Sequence, residues 1–63
     1  MSGSQERLVD ELQELTHKVD KLEEFTLTTV YQELGENMQE LMEYQLEGMK
    51  QYQFALFKRM ELL

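Results

Sequence analysis

Apolar residues recur at Leu8, Leu12, Leu15, Val19 and Leu22, a 4-3-4-3 spacing that lines one stripe of a helix while polar residues fill the other faces. This is the seam of a coiled-coil helix and predicts a first helix from Gln5 to Glu24. The pattern breaks at "FTLTTV", from Phe25 to Val30, where β-branched residues restrict χ1 and weaken helix propensity. Thr29 followed by Gln32 fits a capping box, so Val30 to Leu34 is predicted as a short helical turn, with Gly35 or Glu36 opening a second helix. That helix is expected over roughly Glu36 to Leu62.

The second helix carries more apolar residues than one partner can cover. One stripe holds Met42, Leu46, Met49, Leu56, Met60 and Leu63, enough to cover the seam of the first helix. Beside it lie Met38, Leu41, Tyr52 and Ala55, and away from both lie Tyr44, Phe54 and Phe57. The predicted fold is all-α: an antiparallel helical hairpin with Leu22 near Leu41 or Met42, Leu15 near Met49, and Leu8 near Leu56. In that register Glu40, Glu43 and Glu47 approach Lys18 and Lys21, and Lys58 and Arg59 approach Glu6 and Asp10. A lone hairpin would leave large aromatic side chains in water, and contiguous apolar exposure of that size marks an interaction surface. Self-association into a helical bundle is therefore expected, as a homodimer or a higher oligomer, with Tyr44, Met49, Tyr52, Phe54, Leu56, Phe57 and Met60 at the interface.

Composition agrees with this reading. Sixty-three residues make one domain, taken here as 5–63, which buries only about 60% of its unfolded surface and needs support from outside a single core. Cysteine is absent, so disulfides and thiolate metal sites are excluded, and the single His17 builds no histidine cluster. Residues 1–4, "MSGS", read as a disordered leader or a cloning remnant. No apolar run approaches the roughly 20 residues that span a bilayer, nor does the start resemble a signal peptide, so a cytoplasmic protein is expected. The formal charge of −7 disfavours DNA as a partner, because phosphate neutralisation needs clustered Lys and Arg.

Gln45, Tyr52 and Arg59 stand at intervals of seven, and two readings are open. They can edge the helical seam, with their stems covering apolar surface. Alternatively, with Lys58, they can form a ligand pocket at an oligomer interface, where Arg59 pairs with an anionic group, Tyr52 stacks on a base and Gln45 reads an edge. Glu36, Glu40, Glu43 and Glu47 form an acidic stripe, either a solvated helix face or a surface for a basic partner. His17 falls off the seam and reads as a surface residue. No nucleophile is paired with a base, so neither an enzyme nor a cofactor is expected.

The spacing Q-x-x-x-M-x-x-Y-x-x-x-L-x-x-R, filled by Gln45, Met49, Tyr52, Leu56 and Arg59, resembles a family of small, mostly uncharacterised tailed-phage helical-hairpin proteins that includes members from crAss-like phages. Leu8, Glu11, Glu14, Leu15, Val19, Leu22 and Phe25 fit its first-helix pattern, and Tyr31, Leu34, Leu41 and Met42 fit its hinge and the start of its second helix. Gly35 departs from it, standing where a helix-capping Ser is expected. The resemblance implies a phage origin, a bacterial host cytoplasm and a hairpin shape. Because small phage proteins often antagonise host defence, the resemblance implies, as an expectation for the class, that this chain sequesters a nucleotide signal or blocks a host protein. The expected functions are thus nucleotide capture at the oligomer interface, acidic inhibition of a basic host factor, or coiled-coil assembly without a separate ligand.

Overall fold

The computed structural model describes residues 2–63. Two long helices, α1 (Ser2–Phe25) and α3 (Glu36–Glu61), fold back on each other, and a single turn, α2 (Thr29–Gln32), lies between them. The molecule is a rod of 47 × 15 × 13 Å. Helix α1 starts at Ser2 rather than Gln5. Of the expected disordered start at residues 1–4, Met1 lies outside the described residues, and 2–4 are part of α1. Helix α3 keeps its predicted start and ends one residue early.

The threonines end α1 by a definite chemistry. Thr26 Oγ1 donates to the carbonyl of Glu23 at 2.6 Å, and Thr28 Oγ1 donates to that of Phe25 at 2.7 Å, satisfying carbonyls that a continuing helix would otherwise occupy. The same Thr28 hydroxyl accepts from the Tyr31 backbone N–H at 3.2 Å, so Thr28, not Thr29, caps α2. The expected capping box with Gln32 is absent, because the turn begins one residue earlier than the box requires. Gly35 then turns the chain with φ 63° and ψ 155°, a backbone setting that a side chain disfavours. A glycine standing at this position in place of a capping Ser is explained by that dihedral.

The core is a file of Leu8, Leu15, Val19 and Leu56, flanked by Leu12, Leu46, Met49 and Met60. Both predicted stripes face each other, with Leu56 wholly enclosed at 0% exposure. The register differs from the expected one. Gln53 Nε2 donates to Thr16 Oγ1 at 2.8 Å, whereas pairing Leu15 with Met49 would set Thr16 opposite Gly48, about five positions earlier. Leu41, one of the two neighbours expected for Leu22, accordingly stays 62% exposed, and Met42, the other, is half-buried. The expected cross-helix charge pairs are also replaced: among the described residues Lys50 bridges to Glu23, and Lys58 pairs with Glu61 along its own helix at 3.1 Å.

The cause of the shift is the hinge. Gln39 Nε2 donates to the carbonyls of Tyr31 at 2.8 Å and Gln32 at 3.2 Å, while the Tyr31 hydroxyl donates to the Gln39 carbonyl at 3.3 Å. The Phe25 ring meets Tyr31 edge-on, with centroids 6.1 Å apart. Gln39, near the start of α3, is thus held against α2. Partial burial, followed by the nearby Glu43 carboxylate, raises the Tyr31 phenol above its ordinary pKa.

Candidate functional site

Helix α3 presents the sequence-predicted residues on different sides, and the helical period decides which of them can act together. Gln45, Tyr52 and Arg59 share one line, as a spacing of seven requires, and all three are exposed, Tyr52 at 45%. They border the seam with α1 without entering it. Lys58 is not brought to them. It lies over the Phe54 ring at 5.4 Å and pairs with Glu61, facing a different side of α3 from Tyr52, six residues earlier.

The expected interface set divides in the same way. Leu56, Met49 and Met60 are turned onto α1, because their 4-3-4 rows form the stripe that closes the hairpin. Leu56 is thereby corrected from interface to core, while Met49 and Met60 pack partly buried against that core. Tyr44 and Phe54 remain exposed at 66% and 63%, and Phe57 at 50%. Phe54 and Phe57 overhang an open groove between the helices, floored by Leu12, Thr16, Lys50 and Gln53. Tyr52 stands on the other flank of α3, so these aromatics do not make one patch.

The acidic stripe lies in the open. Glu36, Glu40, Glu43 and Glu47 are exposed, and none is in an ion pair among the described residues. Glu40, Glu43, Tyr44 and Glu47 border one shallow depression. Among the described residues no cation faces them, and they form one exposed acidic surface. Among the described residues no group of three His, Cys, Asp or Glu could hold a metal ion. No buried side-chain nitrogen or oxygen in the described part lacks a hydrogen-bond partner, so the interior holds no polar group waiting for a ligand.

Sequence reasoning missed Gln53 and Gln39. Gln53 completes the 4-3-4-3-4-3 series Met42, Leu46, Met49, Gln53, Leu56, Met60, Leu63, and that unbroken spacing was the available signal for a seam position. The partner choice of Gln39 follows from the tertiary fold of the hinge and has no periodic signature.

An all-α hairpin with an unpaired acidic stripe and an open polar-aromatic line has the surfaces of a binding protein. The family model of Sequestin matches residues 2–62, nearly the whole chain, and the protein belongs to that family. The family name is consistent with a sequestering or binding role. No curated protein and no solved structure matches this chain. No helix among the described residues is long and apolar enough to cross a membrane.

Proposed function

We propose that this chain is a non-enzymatic, self-associating binding protein that captures a small anionic signal, a nucleotide, at the junction between copies of the hairpin. The observation that carries this is the open line of Gln45, Tyr52 and Arg59 beside the α1–α3 seam. An aromatic face, a guanidinium and an amide at successive two-turn intervals, about 10 Å apart, supply stacking, charge pairing and hydrogen bonding. A single hairpin offers these groups on a convex rod, and a second surface is needed to close a pocket around a ligand. Family membership supports capture over catalysis, and the resemblance to phage hairpins supports a role against a host signal in an infected bacterium.

Calorimetric titration with cyclic and linear nucleotides tests the reading. Saturable heat with the wild type and its loss in Arg59→Ala is the expected result. A calorimetrically silent protein that is still oligomeric would remove the nucleotide.

The unpaired glutamates favour a second reading, in which Glu36, Glu40, Glu43 and Glu47 are presented to a basic protein surface. Capture of a host protein that disappears when all four are changed to Gln would select this reading over the first.

A further inference from the structure

Helix α3 carries a second heptad seam that the hairpin does not use. Met38, Leu41, Gln45, Gly48, Tyr52, Ala55, Arg59 and Leu62 follow a 3-4-3-4-3-4-3 spacing, and each directly precedes a residue of the seam that faces α1 or, for Met38, the Gln39 that locks the hinge. One residue is a turn of about 100°. The second seam therefore lies about a right angle from the first, the separation between two neighbours of one helix in a four-helix bundle. All eight positions are exposed, with Leu41 at 62%. Helix α1 has only its one apolar stripe.

Gly48 is unexplained within the hairpin. It lies mid-helix with ordinary helical φ, nothing stands within 4 Å of where its Cβ would be, and glycine there weakens a helix relative to alanine. Small residues in a seam serve close approach of another helix. We infer that the second seam is the contact with a second copy of this chain, α3 against α3 in antiparallel orientation.

A two-fold axis midway between Gly48 and Tyr52 pairs every position. Gly48 meets the partner's Tyr52, Gln45 meets the partner's Ala55, Leu41 meets the partner's Arg59 and Met38 meets the partner's Leu62. Each small residue thus receives a larger one, which is how knobs fill holes. A parallel pairing does the reverse, setting tyrosine on tyrosine, glycine on glycine and Arg59 on Arg59. Charge selects the same direction. Residues 36–47 hold four acids and no base, whereas 48–63 hold Lys50, Lys58 and Arg59 against Glu61 alone. Antiparallel helices set these opposite halves side by side.

Surface area also calls for a partner. The hairpin exposes 5121 Å², against about 4,300 Å² for a compact monomer of its mass. The excess is close to the roughly 800 Å² that each partner buries in a standard interface.

This contact rests on the self-association in the functional reading and engages the same Gln45, Tyr52 and Arg59, so a ligand at those side chains competes with it. Light scattering of the unliganded protein should give twice the 7.6 kDa chain mass. Gly48→Leu should return it to the chain mass with helicity kept or raised, since leucine has open space in the hairpin and none against the partner's Tyr52. Phe57→Ser, off the seam, should leave the mass doubled. Oxidation of the double variant Leu41→Cys, Arg59→Cys should yield a crosslinked dimer, and Leu41→Cys alone should not, because its two copies lie far apart across the axis. A monomeric wild type, an unchanged mass in Gly48→Leu, a lost dimer in Phe57→Ser, or crosslinking by Leu41→Cys alone would each overturn the inference. A doubled mass without nucleotide heat would keep this contact and remove the ligand; nucleotide heat from a monomer would do the opposite.

Discussion

At the scale of single residues, the hairpin depends on few side chains, and they differ in what they resist. Leu56 is enclosed by both helices, and its removal leaves a cavity that a rod 13 Å deep has little other core to compensate. Leu56→Ala should cost about 2–5 kcal/mol, and Leu15→Ala should fall in the same range. Thermal or urea unfolding measures both, and an unmoved transition in Leu56→Ala would contradict the enclosed position. Gly35 shows the opposite dependence, since its φ of 63° and not its volume fixes it. Gly35→Ala should destabilise by about 1–3 kcal/mol although no neighbour stands in the way of the new methyl group. The spacing of the stripes made Leu8, Leu15, Val19 and Leu56 legible as core, because burial repeats with the helical period. The dihedral at Gly35 and the Thr28 hydroxyl were not legible, since one or two atoms decide them and no period reports them.

At the scale of elements, the hinge sets the register. Both long helices were legible from their periodicity, and α3 began where its pattern began. Their relative slide was not, because it depends on how many residues of α3 the turn α2 holds back through Gln39 and Tyr31. Charge pairing gave false guidance here: exposed ion pairs contribute about 0–1 kcal/mol and follow the register that apolar contacts and the hinge impose. The candidate site was legible to a similar extent. Intervals of seven correctly put Gln45, Tyr52 and Arg59 on one line, but the sequence gives no angle between Lys58 and that line until the neighbours Phe54 and Glu61 are known. A hinge lock of this kind has a pH dependence. The folded state holds the Tyr31 phenol with a raised pKa, so its stabilising effect is complete below the phenol's ordinary pKa and is lost as pH rises through the higher folded value. Wild type should therefore lose stability more steeply in strong alkali than Tyr31→Phe, which has no proton to lose. Equal alkaline slopes for the two proteins in urea titrations would show that the phenol plays no part. Gln39→Ala should increase hydrogen exchange at α2 and at the start of α3 with little change in the middle of α1, since the amide clamps only the hinge.

At the scale of the whole molecule, shape and surface belong together. A radius of gyration of 14.6 Å compares with about 11 Å for a compact domain of this length, and the extra surface includes Met38, Leu41, Tyr44 and Tyr52 along α3. One hairpin seam gives a small core, and a chain of this size gains much of its stability from a partner when it has one. Folding and association are then linked by mass action. The melting temperature of the wild type should rise with protein concentration, because dilution favours the separate hairpins and each of them is marginal. The slope of that rise isolates the contribution of the contact. In Gly48→Leu the dependence should vanish, with a melting temperature below that of concentrated wild type, even though the substitution favours the helix itself. A concentration-independent transition in the wild type would mean that the hairpin is stable alone, and the exposed face of α3 would then be free for a different protein.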